Sequence, residues 1–294
     1  MVVESQSVVK LALPKGRMQD RVFRLLSDAG VELQQSSRGY RPRVSLEGFD
    51  AKILKPQNAL EMLHSGTRDL GFGGADWVRE LDVELVELLD LGFDPVRLVA
   101  AAPMELLEDG ELPKTVRGRP LVVASEYERI TRQWIAERGM DAVFVKSRGA
   151  TEVFPPDDAD CILDVTQTGD TLRANGLEIV DEIMRSTTRL WANPKAMENP
   201  AKREAIERFV LLLRSVLDAR GRVMLELNVS KERMEAVIAI LPCMRRPTVA
   251  VLGDDSGYAV KVAAPRAALA TLIPEIKAKG GTDIIVTEMA RLVP

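Results

Sequence analysis

The stretch CILDVTQTGDTL, residues 161–172, decides the fold. Its first half is an apolar run that reads as a buried strand, and its second half is a hydroxyl-rich, glycine-containing turn that opens a helix. A strand leading through a tight turn into a helix is the repeating unit of an α/β sheet. The same alternation extends outward on the amino-terminal side. Residues 8–13 (VVKLAL) read as a buried strand, broken by Pro14-Lys15-Gly16-Arg17; Met18, Val22, Leu25, Leu26 and Ala29 then recur at helical spacing until Gly30 closes the helix. Short strands are expected at 44–46, 51–54 and 68–72, and a helix at 58–64, stopped by Ser65-Gly66. Segments 83–91, 96–102, 120–125 and 142–146, with a helix over 129–138, continue the pattern. The sum predicts an α/β architecture with a mostly parallel sheet or sheets, and the polar stretch 106–119 reads as a crossing between two lobes.

Beyond residue 200 the pattern changes. Ile206, Phe209, Val210, Leu213 and Leu217 mark one side of a long amphipathic helix that ends near Arg220-Gly221. A strand at 222–229, a helix at 231–241, a hairpin of 248–252 with 258–263, a helix from Pro265 to Lys279 and a strand at 282–287 follow. That order is β-α-β-β-α-β, the split ferredoxin-like plan, and it predicts a separate carboxyl-terminal domain.

Composition bounds the function. The 294 residues carry 40 Lys+Arg and 44 Asp+Glu, a net charge of −4, so a basic footprint for nucleic acid or an anionic membrane is not expected. An anionic ligand must therefore be held locally. Only Cys161, Cys243 and His64 represent the soft ligands, too few for a disulfide framework or a Cys/His zinc site. Residues 1–10, with Glu4, lack the basic and apolar regions of a secretory signal, and no run approaches 18 apolar residues. A soluble protein of the reducing cytoplasm is expected.

The turn in 161–172 carries the chemistry. Backbone N–H groups at a helix start, helped by the hydroxyls of Thr166, Thr168 and Thr171, suit a phosphate oxyanion. Asp164, at the carboxyl end of the strand, suits sugar hydroxyls or a hydrated Mg²⁺. An inward-pointing Asp170 would repel phosphate, so it is expected to face solvent. A plain N-capped helix is the structural alternative. His64 reads as a helix-end residue, Cys161 and Cys243 as packing, and the acids Asp157, Asp158 and Asp160 as a solvated loop. Trp77, Trp134 and Trp191 read as packing, with Trp191 near enough to Arg185-Ser186 to flank a cleft.

The longer pattern 164–177 (DVTQTGDTLRANGL) resembles the signature of the ATP phosphoribosyltransferases, the first enzymes of histidine biosynthesis. Leu13-Pro14-Lys15-Gly16-Arg17, Lys55-Pro56-Gln57-Asn58, Asp69-Leu70-Gly71-Phe72-Gly73-Gly74, the strand at Arg97-Leu98-Val99, Leu241-Pro242 and Arg246-Pro247-Thr248 resemble that family's landmarks in the same order. The resemblance covers almost the whole chain, including the carboxyl-terminal domain of the long form. It implies two α/β lobes similar to periplasmic binding proteins, 1–104 with 185–220 and 105–184, followed by a ferredoxin-like regulatory domain at 221–294. It implies transfer of phosphoribose from phosphoribosyl pyrophosphate to N1 of ATP with Mg²⁺, inhibition by histidine, and a homo-oligomer ranging from dimer to hexamer.

By that resemblance Thr166, Thr168, Gly169, Asp170, Thr171 and Leu172 bind the phosphoribosyl group. Lys15, Arg17 and Asp164 are the catalytic candidates, joined in the cleft by Arg97, and Glu152 with Asp164 are the metal candidates. Arg17 suits bidentate phosphate contact and Lys15 a point-charge contact. Residues 153–159 depart from the small turn usual in the family, which re-routes the loop before Asp164. Histidine is expected at Asn228 and Thr248, and Asn228 stands where an acid is usual. A neutral amide can hydrogen-bond the effector's cation but not neutralise it, so inhibition is expected to be weaker or altered. The competing reading is a two-lobed sensor that binds a phosphate-sugar or an amino acid without chemistry.

Overall fold

The computed structural model describes residues 8–34, 39–244 and 246–294. Glu4 and the rest of 1–7, read above as free of an export signal, lie outside them. The chain forms two compact units, Met1–Phe23 with Leu33–Ile206, and Arg24–Glu32 with Glu207–Pro294. No described helix is long and apolar enough to cross a membrane.

In chain order the elements run β1 (Val9–Pro14), α1 (Gln19–Asp28), which passes into the second unit after Phe23, and then, in the first unit, β2 (Leu33–Gln34), β3 (Arg43–Val44), β4 (Phe49–Leu54), α2 (Pro56–His64), β5 (Leu70–Gly74), α3 (Ala75–Leu81) and β6 (Val86–Pro103). After β6 come β7 (Leu121–Ser125), α4 (Glu128–Arg138), β8 (Ala142–Lys146), β9 (Cys161–Thr166), α5 (Asp170–Ala174), β10 (Leu177–Ala192), α6 (Pro194–Glu198) and α7 (Pro200–Arg220), the last crossing into the second unit. Eight strands make one sheet in the order β4-β1-β5-β10-β6-β9-β7-β8. β1 pairs in parallel with β4 and β5, and β7 in parallel with β8 and β9. Between these two groups lie β10 and β6, antiparallel to each other, with β10 antiparallel to β5 and β6 antiparallel to β9.

The expected α/β class stands, but the sheet is mixed rather than mostly parallel. Of the two central strands, β10 escaped the sequence reading and β6 was read as two separate segments, 83–91 and 96–102, each for a physical reason. Gly92 and the pair Asp94-Pro95 look like a turn, and Gly92 and Asp94 do take positive φ, yet the long strand absorbs them as irregularities opposite Thr188. β10 carries five register shifts against β6, and those at Ile179/Asp181 and Glu182/Met184 add a residue to β10 itself, which moves the following side chains to the other face and interrupts the two-residue alternation. Polar partners fill these irregularities: Thr187 donates to Asp90 at 2.7 Å and Thr188 to Asp94 at 3.2 Å.

Burial is deepest at the middle of the sheet's strands. Leu11, Ala12 and Leu13 of β1 and Leu98 through Ala102 of β6 are fully buried on both faces. Trp191 is buried and donates its indole N–H to the Gly73 carbonyl at 3.0 Å, so it packs beneath the sheet instead of flanking a cleft. His64 is the exposed last residue of α2, as expected.

The second unit contains β11 (Arg222–Ser230), α8 (Met234–Ile238), β12 (Thr248–Val251), β13 (Gly257–Pro265), α9 (Leu269–Ala278) and β14 (Gly281–Glu288). The four strands form an antiparallel sheet in the order β12-β13-β11-β14, which is the predicted β-α-β-β-α-β plan. Strict alternation along β11 buries Val223, Leu225, Leu227 and Val229 against Val237, Val260, Val262, Leu272 and Ile276. Met224, Glu226 and Asn228 occupy the opposite, open face.

Leu98 sits at the centre of β6, fully buried with Ala100, Val123 and Leu163 in one apolar cluster. Leu98→Ala removes that packing and leaves a cavity, so unfolding in urea should show a loss of about 2–5 kcal/mol. A loss below about 1 kcal/mol would mean the β6 centre is not the packed axis described here.

Candidate active site

β9 delivers Asp164 and Thr166 to its carboxyl end, two residues apart and hence on one face. On the neighbouring strand Val99 faces Asp164 and Arg97 faces Thr166, so Arg97 stands beside the turn. Arg97 pairs with Glu182 at 3.2 Å, which also takes Arg185 at 2.7 Å.

The turn is built from its own polar groups. Gly169 takes φ +83°, the left-handed region glycine enters without steric cost, and an added Cβ would crowd Arg173 and Ile179 at 3.0 and 3.3 Å. Its N–H donates to Thr166 Oγ1 at 2.9 Å, so this hydroxyl shapes the turn while keeping its own proton to donate. Thr168 donates to Asp170 at 2.5 Å, and Arg173 closes the corner by pairing with Asp170 and donating to the Thr168 carbonyl at 3.2 Å. Thr168 and Arg173 together hold the exposed Asp170 carboxyl below its usual range. Asp170 thus faces solvent, as expected. Leu172 is buried among Val99, Ala101, Ile162 and Leu177, so its side chain anchors α5 and only its amide is left for a ligand. The amides of the first helical turn have no intrahelical acceptors, which leaves those of Thr171 and Leu172 open.

Asp164 is half-buried. Burial pushes its carboxyl up to about 6, the charges of Glu152 and Glu126 add to the rise, and the Val165 amide at 2.7 Å and the Thr151 hydroxyl oppose it. Among the described residues no group of three or more His, Cys, Asp or Glu side chains converges as a metal site. Asp164 and Glu152 are carboxylates close enough to sense each other's charge. One or two carboxylates fit Mg²⁺, which keeps most of its water and binds chiefly through substrate phosphates.

Three residues that sequence spacing could not reveal complete the environment. Tyr127, at the start of α4, donates its hydroxyl to Asp76 at 2.7 Å, and Ser186 of β10 donates to the other oxygen of Asp76 at 2.6 Å. Asp76 is only 5% exposed, and the Tyr127 ring packs on Trp77 with centroids 4.7 Å apart and planes tilted by 33°. Burial, then the Asp76 and Asp164 charges, push the Tyr127 phenol far up, so it remains a neutral donor. This network ties the carboxyl end of β5 to that of β7. The residues come from three distant segments, so only the fold brings them together.

Lys15 lies at the carboxyl end of β1, on the other parallel group. Its ammonium donates to Tyr40 at 2.9 Å and lies 4.7 Å from that ring's centroid, and its backbone N–H donates to the Leu54 carbonyl at 2.8 Å. Lys15 and Lys55 therefore emerge from adjacent strand ends. Arg17 is exposed just beyond. No hydrogen bond or ion pair joins Lys15 to the 166–172 turn among the described residues.

Other expectations differ. Asp157 and Asp158 are exposed, but Asp160 is buried in a bidentate pair with Arg119 at 2.7 and 2.8 Å and also accepts from the Val122 amide, because it must close the start of β9. Cys161 is buried, which pushes its thiol up to about 12 and makes it inert. A cavity of about 780 Å³ lined by Leu106, Glu108, Arg119, Asp160 and Asn175 opens at the amino end of β9, away from Asp164. In the second unit Thr248 lines a cavity of about 470 Å³ with Arg246, Lys261 and Leu292, whereas Asn228 lies on the same open sheet face two strands away.

The raised Asp164 value is a statement about stability. Between its ordinary value of 3.8 and about 6 the native state holds the extra proton, so stability falls as pH rises through that window. Above it the full cost, up to about 3 kcal/mol, stands. Asp164→Asn should therefore raise unfolding stability by about 1–3 kcal/mol at pH 8 and change it little at pH 4. Equal destabilisation at both pH values would contradict a desolvated carboxylate.

A family model described as HisG, ATP phosphoribosyltransferase, matches residues 55–215, and a second, described as the HisG C-terminal domain, matches 219–291. The chain is 37% identical to the ATP phosphoribosyltransferase of Chlorobium luteolum over 297 aligned residues, covering 99% of this chain and 100% of that one. It is 36% identical to the enzyme of the same name from Pelodictyon phaeoclathratiforme, covering 97% and 98%. Among solved structures, the ATP phosphoribosyl transferase (HisG:HisZ) complex from Thermotoga maritima matches 72% of this chain and 99% of its own with a TM-score of 0.63 and 26% identity. With the strand, turn and short helix of the 164–177 signature in place and both family domains matched in order, the chain belongs to the HisG family, the ATP phosphoribosyltransferases of histidine biosynthesis, in its long form.

Proposed function

We propose that the 166–172 turn holds the 5′-phosphate of phosphoribosyl pyrophosphate while Asp164 accepts hydrogen bonds from its ribose hydroxyls. The supporting observation is the facing pair Arg97 and Thr166 at the end of β9, with Asp164 on the same face and the open α5 amides next in the chain. Gly169 lets the backbone take the left-handed turn that brings α5 to the end of β9, and Thr166 keeps a hydroxyl proton to donate.

In the reaction the bond from C1′ to pyrophosphate breaks and N1 of ATP bonds to C1′. Charge builds on the leaving pyrophosphate as the ribose gains cationic character. Positioning and electrostatic stabilisation therefore do most of the catalysis, and no strong base is required. Arg97, Lys15 and Arg17 are the cations assigned to the polyphosphates. The Asp164 carboxylate stabilises the developing positive charge on the sugar and is ionised above about pH 6. Mg²⁺, carried by the phosphates and met by Asp164 and Glu152, would neutralise the leaving group when bound. Tyr127 is held by Asp76 as a neutral donor beside Asp164.

The same reading divides the catalytic part into lobes 1–104 with 185–220 and 105–184, and makes 221–294 the regulatory domain. It assigns histidine, as inhibitor, to the face bearing Asn228 and Thr248 in a homo-oligomer between dimer and hexamer, working in the cytoplasm without nucleic acid or membrane.

Purified protein given ATP, phosphoribosyl pyrophosphate, Mg²⁺ and pyrophosphatase should form phosphoribosyl-ATP. Thr166→Ala and Arg97→Ala should each raise KM for phosphoribosyl pyrophosphate about tenfold, the loss of one hydrogen bond to a charged group. Full activity in both variants would remove the turn from the site.

A further inference from the structure

We infer that Asp283 is the residue that binds the α-ammonium of the histidine effector, in place of an acid at position 228. The inference rests on the effector reading above and names the residue that reading lacks. Asn228 donates its amide N–H to Asp283 Oδ2 at 3.0 Å across the β11–β14 ladder. Thr282 donates its hydroxyl to the same oxygen at 3.0 Å.

The backbone puts Asp283 there. Glu226 faces Ile285 and Asn228 faces Thr282, so β14 spends three steps where β11 spends two. The extra residue makes a bulge, and Asp283 takes φ +49° in it, a left-handed value that Asp and Asn tolerate better than most side chains. The bulge turns the Asp283 carboxylate onto the open sheet face shared by Asn228, Lys261 and Thr248. In regular alternation Thr282 and Asp283 would point to opposite faces.

Charge accounting on this face singles out Asp283. Glu226, next along β11, is already neutralised by Lys261 at 2.5 Å. Asp283 has only neutral partners, both on Oδ2, and its Oδ1 has no partner among the described residues. A carboxylate with one oxygen fixed by two donors and the other free is oriented to receive a cation. Near neutral pH the cation of histidine is its α-ammonium, because the imidazole is largely uncharged. Asn228 then acts as a positioning residue. Its amide oxygen stays free to accept from the same ammonium, and its N–H groups hold the acid in place. Thr248, two strands and two residues away, stands about 12 Å from Asn228 between backbones.

Calorimetry on the full-length protein tests this with four proteins: wild type, Asp283→Asn, Asn228→Asp, and the double exchange of Asn228→Asp with Asp283→Asn. Asn keeps the left-handed backbone and one acceptor while removing the charge. Histidine should bind wild type, bind Asp283→Asn at least tenfold more weakly, and regain affinity to within about threefold in the double exchange. Wild type should also bind imidazolepropionate, which lacks the ammonium, at least tenfold more weakly than histidine, and Asp283→Asn should abolish that preference. Unchanged histidine affinity in Asp283→Asn, or a loss the double exchange does not reverse, would overturn the role of Asp283 while leaving the effector site intact. No histidine binding to wild type would overturn both.

Discussion

The pairing of β6 with β10 is the constraint on which the rest depends. These two long antiparallel strands separate the parallel groups β4-β1-β5 and β9-β7-β8, and each group hydrogen-bonds to one of them. β6 holds β9 in register so that Arg97 meets Thr166, and β10 carries Ser186 to the Asp76 carboxylate that fixes Tyr127. The carboxyl ends of both groups are thus referred to a common axis. The irregularities along that axis carry polar pairs such as Thr187 with Asp90 and Thr188 with Asp94, and Asp90 also accepts from the Gly92 amide where the strand bends.

A second principle is that the site is held in readiness at a cost. Burial and the like charges of Glu152 and Glu126 oppose the ionisation of Asp164. In the proposed role, hydrogen bonds from a ribose or the positive charge of the transition state would relieve that opposition. The turn follows the opposite strategy. Thr168, Asp170 and Arg173 satisfy one another within it, and Gly169 supplies the backbone freedom, so its shape is set before a ligand arrives.

Local patterns were readable in the sequence and long-range ones were not. β1, β7, β8, β9 and the carboxyl-terminal β-α-β-β-α-β order follow from apolar runs and strict alternation, which are decided by a few neighbouring residues. The 161–172 turn was legible because strand, glycine and helix start are contiguous. β10 was invisible because its register shifts destroy the two-residue period, and β6 was cut in two by Gly92 and Asp94-Pro95. Asp160 read as a loop acid because its partner Arg119 lies 41 residues away. Asp76, Tyr127 and Ser186 share no spacing, and Asp283 depends on a bulge that only the ladder defines.

In the proposed reaction the turn after β9 grips the sugar phosphate through its backbone. Amide hydrogen exchange across 160–177, followed with and without phosphoribosyl pyrophosphate, reads that contact directly. Slowed exchange at 167–172, with Thr171 and Leu172 among the protected amides, is the predicted result. Unchanged exchange there, with protection appearing instead around Leu106, Arg119 and Asn175 at the other end of β9, would contradict it.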